Sequence, residues 1–315
     1  MPQGEGRDHM NDITRELLKT VAGFEGVFDG AYSIREDGGC AGRKSTENVQ
    51  IEGKKGAPGL VIRVKPGTPG ENVYIPACVT RAGVDDLVYN DFIIGEGAKV
   101  TIIAGCGVHS DGEEQARHNG IHRFFLGKGA NVRYEEKHVA QGTGSGDKRI
   151  DPVTDIFLEE DAVLEIDTLQ LGGVTHSDRK TRAELGARSK LIIKERILTD
   201  GNEWAATDFA VNMNGDDSKV DLISRSVARG DSVQEYHSRI AGNCPCTGHS
   251  ECDAILAENG RVNAAPELYA GHMDAALIHE AAIGKIAGEQ ILKLRTLGLS
   301  EEEAEQCIIE GFLRG

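Results

Sequence analysis

Along the middle of the chain one short pattern recurs. A polar or glycine-containing turn is followed by a small residue and then by an apolar residue that opens an alternating run. The pattern is seen in GEGAKVTII from Gly95, GKGANVRY from Gly127, EEDAVLEI from Glu159, LGARSKLII from Leu185, NGDDSKVDL from Asn214 and ENGRVNAA from Glu258. The opening apolar residues are Val100, Val132, Val163, Leu191, Val220 and Val262, at steps of 32, 31, 28, 29 and 42 residues. A repeat of this size marks a repeat architecture. KVTIIAG and KLIIKERIL place β-branched residues at alternate positions, which predicts strands, and no helical spacing fills the intervals. One coil of a mainly-β solenoid fits this spacing, with two or more strands per coil. Such coils bury a narrow strip of Val, Ile and Leu and need Gly or Asp at their corners. The competing reading is an antiparallel sandwich, whose strands usually recur at shorter intervals.

The two ends follow a different period. In NDITRELLKTVAGF (11–24) the apolar residues Ile13, Leu17, Leu18 and Val21 share a helix face, with Asn11 or Asp12 able to cap it. From Leu277, apolar residues at Ile278, Ala282, Ile286, Ile291, Leu294 and Leu297 predict a second helical stretch, stopped at Gly298. Ser300 and Glu303 then form a capping box for a last helix whose apolar face is Ala304, Cys307, Ile308 and Phe312. The expected organisation is a helical segment over 1–30, a solenoid over 31–276 and a helical segment over 277–315. The final helices are expected to cap the last coil, to dock a partner, or both.

Charge and composition narrow the partners. A formal net charge of −16 repels nucleic acid and anionic membranes. No apolar run approaches the length of a membrane-spanning helix. The N-terminus lacks the basic-then-apolar layout of a secretory leader, so none is expected. Seven cysteines, an odd number spread over a long chain, suit reduced thiols in a cytoplasm better than a disulfide framework.

Three clusters carry candidate chemistry. GNCPCTGHSECDAIL (242–256) gathers Cys244, Cys246, His249 and Cys252. Thiolate and imidazole are the donors that zinc and iron–sulfur clusters prefer. The spacing is not that of a double C-x2-C site, however, and buried cysteines also serve as small apolar residues. A second group, Cys106, His109, His118 and His122, has two histidines four apart but a glycine between them, and reads more simply as surface or turn histidines. The third, His272, Asp274, His279 and Glu280, is placed at a strand-to-helix passage, where it either converges on an ion or caps the helix. GGCAGRKST (38–46) imitates a phosphate loop, but Arg43 stands where the motif needs glycine.

The C-terminal third as a whole resembles the SufB/SufD family of iron–sulfur assembly proteins. The resemblance rests on PEL at Pro266, HEAAIGKI at His279 and RTLGLSEEEAEQCIIEGFL at Arg295. GRKSTENVQI from Gly42 and RHNGIHRFFLGKGANVRYEEKH from Arg117 are similar to its shorter, single-subunit branch. The likeness runs from about Ala31 to Leu313. It implies a right-handed parallel β-helix with helical ends, a homodimer formed through the solenoid, and C-terminal helices that bind a SufC-like ABC ATPase. It implies a scaffold that hands nascent clusters to acceptor proteins, with no catalysis by this subunit. By position, His279 resembles a family cluster ligand at the subunit interface, Glu280 the adjacent glutamate, and His249 a family histidine. A family cysteine falls at Ala270 and is missing, so Cys246 and Cys252 are taken as the thiolate donors. The expected metal set is therefore Cys246, His249, Cys252, His279 and Glu280, around a transient iron–sulfur cluster. The sequence leaves a bound flavin open, although no flavin motif is visible. Two alternatives remain: an interaction module whose cysteines only pack while it anchors the ATPase, and a zinc-binding protein.

Overall fold

A computed structural model describes residues 10–314. Residues 1–9, the start of the expected N-terminal segment, and Gly315 at the end of the expected C-terminal one lie outside the described residues. Helix α1 (Asp12–Ala22) comes first. Two antiparallel hairpins follow, β1 (Ala31–Glu36) with β2 (Gly39–Lys44), and β3 (Val49–Gly53) with β4 (Gly59–Val64). The coils begin with β5 (Asn72–Val79) and β6 (Asp85–Ile94), then β7 (Lys99–His109) and β8 (Ala116–Leu126). Next come β9 (Asn131–Gln141) with the pair β10 (Lys148–Ile150) and β11 (Val153–Leu158), and β12 (Val163–Gln170) with β13 (His176–Leu185). The series continues as β14 (Lys190–Thr199), β15 (Trp204–Met213), β16 (Ser218–Ala228), β17 (Val233–Gly242), β18 (Cys246–Leu256) and β19 (Arg261–Ala270). A last strand, β20 (Ala275–Gly284), leads to α2 (Gly288–Thr296) and α3 (Glu301–Arg314).

From β5 onward alternate strands stack in parallel into two sheets. The first runs β5-β7-β9-β12-β14-β16-β18-β20, extended at its start by β1 and β2; the second runs from β4 and β6 through β8 to β19. The chain is thus a parallel β-solenoid of about eight turns with helices at both ends. Asp151 and Pro152 divide β10 from β11, where proline can donate no ladder hydrogen bond.

The register explains the repeat. Val100 pairs with Val132, Val132 with Leu164, Leu164 with Leu191, and Leu191 with Val220. All five are almost wholly buried, and each such side chain contributes about 1.5–3 kcal/mol on leaving water. The sequence alignment is therefore one residue off at Val163, whose neighbour Leu164 is the inward one. It is also wrong at Val262. The partner of Val220 in β18 is Gly248, and Val262 belongs to the other sheet. A glycine breaks the apolar column, so the pattern skipped a coil and gave the long step of 42. Leu277 closes this gap, because a Cβ on Gly248 would lie 2.7 Å from its Cδ2.

The same leucine accounts for a correction. Residues 277–284, expected to be helical, are strand β20, paired in parallel with β18 from Ala275 to Gly284. Inward packing of Leu277 and a ten-residue ladder override a helix-like spacing of apolar residues. The helix begins only at Gly288. The capping signals at the two ends act as predicted, but α3 buries Ala304 and Ile309, and Cys307, expected on that face, is exposed. Asn11 Oδ1 accepts from the Thr14 amide at 2.7 Å, and Ser300 and Glu303 exchange hydrogen bonds at 2.8 and 3.1 Å. At the coil corners Gly97, Gly129, Asp161, Arg188 and Asp217 adopt positive φ, and the amide of each donates to the next coil. Arg188 bears the cost of that conformation while pairing with Asp161 at 2.8 Å.

The helices do not close the last coil as expected. Helix α3 lies against β16, and α2 against α3. On strands β19 and β20 Leu268, Tyr269, Ile278 and Ile283 remain exposed, while Leu277 packs against the core. Towards the other end a helix lies on the outer face of the first sheet. Helix α1 packs Leu17 and Val21 onto Gly107 and Gly105 of β7, where any Cβ would fall within 3 Å of those side chains.

Candidate metal centre

The expected ligands lie on the last two strands of the first sheet, and strand alternation divides them between two faces. Cys246, Ser250 and Cys252 of β18 point inward and are buried, whereas His249 and Glu251 are half-buried on the outer face. On β20, His279 pairs with Ser250 and shares its inward face, while Glu280 pairs with Glu251 on the outer one. The reading of His279 and Glu280 as helix-capping neighbours is corrected here, since both sit in mid-strand.

On the inner face Cys252 and His279 are diagonal neighbours on adjacent strands. Strand spacing and rise put their Cβ atoms about 8 Å apart. Among the described residues His279 Nδ1 has no hydrogen-bond partner. Burial, with Glu195 nearby, pushes the Cys252 thiol up to about 12, so it is a protonated thiol until a metal displaces the proton. Cys246 stands six residues along the same strand, about 20 Å from Cys252 at the usual strand rise, so the two do not converge within one chain. Burial and Cys244 raise the Cys246 thiol as well, and the Cys244 Sγ itself donates to the carbonyls of Met213 and Gly215.

On the outer face His249 Nδ1 lies 2.8 Å from Asp221 Oδ1, and its Nε2 3.6 Å from Glu280 Oε2. Donor atoms of His249, Glu251 and Glu280 all lie within 4.8 Å of one another. The hydrogen bond to Asp221 raises the His249 pKa, and Glu280 adds to that effect. Asp221 and Glu251 were not among the expected residues. Their signal is alternation alone: Glu251 is two residues from His249, and Asp221 is its partner one coil back.

A second cluster lies deep inside the solenoid, where sequence reasoning placed surface histidines. His118 and His122 are inward residues of β8 and almost fully buried. His118 bonds Asp86 at 3.0 Å, and Arg35 holds the same carboxylate from the other side. Cys106, Glu136 and His138 also meet here. Arg179 reaches Glu136 at 3.1 Å, His138 Nδ1 at 3.3 Å and Glu195 at 3.4 Å, so a guanidinium already supplies the positive charge of that group. Arg35, Cys40, Cys106, His118, His122 and Glu136 line a cavity of about 50 Å³ at this end. Alternation through VRYEEKHVA, from Val132 to Ala140, marks Glu136 and His138 as inward.

Comparison with known proteins gives one consistent result. Residues 87–312 match the family described as SUF system FeS cluster assembly, SufBD core domain. A protein of Methanothermobacter thermautotrophicus is 30% identical over 270 residues, which is 84% of this chain and 64% of the relative. One of Archaeoglobus fulgidus is 33% identical over 251 residues, 78% of this chain and 66% of the relative. One of Methanocaldococcus jannaschii is 25% identical over 272 residues, 85% of each. All three bear the name iron-sulfur cluster assembly SufBD family protein. The chain thus spans just under two thirds of the length of the first two. Among the described residues no helix is long and apolar enough to cross a membrane.

Proposed function

Because this chain belongs to the SufBD core family of iron–sulfur cluster assembly proteins, we propose that it is a scaffold on which a cluster is built at the open end of the solenoid and then passed on. One observation carries the reading: Cys252 and His279, whose Nδ1 is unpartnered, share the inner face of the last two strands of the first sheet, at the end where the apolar residues of β19 and β20 stand exposed. A thiolate and an imidazole from one chain make half of a four-donor set. A homodimer joined through the exposed strands β19 and β20 supplies the other half, and its contact surface is the apolar group of Leu268, Tyr269, Ile278 and Ile283. Helices α2 and α3, with Leu292 and Leu297 exposed, are the docking element for a SufC-like ABC ATPase. In this role the subunit holds and releases cargo and catalyses nothing itself. His249 and Glu280 belong to the same end of the rod on its outer face, and Cys246 stands apart from the cluster-holding pair.

The test is anaerobic reconstitution with iron and sulfide. Wild type is expected to develop sulfide-to-iron absorbance that Cys252→Ser and His279→Ala each lose, with Cys246→Ser unaffected. Wild-type spectra in the Cys252→Ser variant overturn the assignment and leave the interaction-module reading. Zinc retained by protein purified without oxygen points to a zinc protein.

A further inference from the structure

The outer face of the same two strands holds an arrangement that the inward thiols do not explain. Glu251 and Glu280 are directly paired residues of β18 and β20, side by side on one face. Like charges so placed repel unless a cation lies between them. His249 completes a triangle with them, and the three donor atoms lie within 4.8 Å of each other. Donors on one first-row metal ion, at bonds of about 2.1 Å, stand about 3.0–3.4 Å apart. The His249 Nε2 to Glu280 Oε2 distance of 3.6 Å is already close to that span.

The hydrogen bond to Asp221 decides which ring nitrogen is left to a metal. The Asp221 carboxylate, 2.8 Å away, can only accept, so Nδ1 carries the proton and donates it. In the neutral ring this leaves the Nε2 lone pair directed at the two glutamates. A carboxylate behind a ligating imidazole is the usual outer partner of a metal-bound histidine. The one guanidinium ion-paired with the group among the described residues is Arg225, 3.9 Å from Glu251. Against it stand Asp221, Glu251 and Glu280, which with His249 neutral leaves two negative charges in surplus. Glu280 is mostly exposed, so an ion can enter from solvent.

We infer that His249, Glu251 and Glu280 form a divalent-cation site on the outer face of the first sheet, oriented by Asp221 and independent of every thiol. One imidazole and two carboxylates suit ferrous iron, manganese or zinc, and not a soft ion that requires sulfur. On the function proposed above the physiological ion is ferrous iron, held one strand-thickness from the inward Cys252 and His279. That identity rests on the proposed function, while the site itself rests on the geometry.

Untagged full-length protein is titrated with Co²⁺ and followed by its visible bands. One equivalent is expected to bind without the near-ultraviolet thiolate-to-cobalt band. Binding should survive in a Cys246→Ser/Cys252→Ser variant and fall at least tenfold in His249→Ala and in Glu280→Gln. Asp221→Asn, which keeps the shape but weakens the orienting bond, should cost about ten- to a hundredfold in affinity. Fe²⁺ should compete for the site without oxygen. Unchanged binding in both His249→Ala and Glu280→Gln overturns the site, as does binding lost with the thiols. Each variant is checked for native circular dichroism. Because the titration uses no sulfide, its failure is separate from a failure of cluster assembly on Cys252 and His279.

Discussion

His279 and Glu280 are consecutive in sequence and face opposite sides of β20, His279 inward beside Ser250 and Glu280 outward beside Glu251. Their substitutions should therefore separate cleanly. His279→Gln is expected to remove most of the reconstituted iron–sulfide absorbance while leaving Co²⁺ affinity within about twofold. Glu280→Gln should do the reverse. Parallel losses in both assays for both variants would show that one site serves both.

Arg179 is the common partner of Glu136 and Glu195 in the solenoid interior. Removing a buried partner leaves the other charge uncompensated, at a cost of about 3–5 kcal/mol. Arg179→Met should destabilise the fold by that order in urea unfolding. Adding Glu136→Gln to it should recover part of the loss, since the stranded carboxylate goes with it.

Burial depresses the His122 pKa to about 4. The unfolded chain protonates this residue below about 6.5 and the folded one only near 4. Stability is thus fully present above 6.5 and declines as the pH falls towards 4, by an amount on the order of 3 kcal/mol. Burial shifts His138 in the same direction and adds to the slope. The urea midpoint measured against pH should be flatter between 6.5 and 4 in His122→Gln than in wild type.

The Cys252 thiol, raised to about 12 by burial and by Glu195, is a poor nucleophile at neutral pH. Cys40 and Cys307 are exposed. Mass-spectrometric mapping after brief iodoacetamide treatment at pH 7.5 should find label on Cys40 and Cys307 and almost none on Cys252. Loading the protein with iron and sulfide should leave the first two labelled. Rapid labelling of Cys252 would contradict its burial.

Gly105 admits Val21 of α1 so closely that a Cβ would lie 2.6 Å from the Val21 Cβ. Gly105→Val should lift α1 from the sheet and cost about 1–3 kcal/mol by overpacking. Limited proteolysis would then cut within 12–30 sooner than in wild type.

How far the molecule was legible depends on which physical signal each part left. Val100, Val132, Leu191 and Val220 announced the stacking because every coil buries an aliphatic residue at the same register position. Gly248 hid a coil because it has no side chain, and the missing volume is filled from the next coil by Leu277. That tertiary contact, invisible in local spacing, turned an apparent helix start into a strand. The Ser300 and Glu303 box was readable because capping is local. At the metal centre the donor types were legible but their sides were not. Alternation places His279 against Glu280 only once the segment is known to be a strand. Asp221 and Glu251 became partners of His249 only through the register between coils.

Each coil is held chiefly by the coils on either side of it, so the final one, with a neighbour on a single side, is the most weakly anchored part of the rod. His279 and Glu280 sit on that loosest turn of the spring. Amide exchange should therefore be quickest where cargo is carried, and whatever clasps β20 will set how long the load stays on.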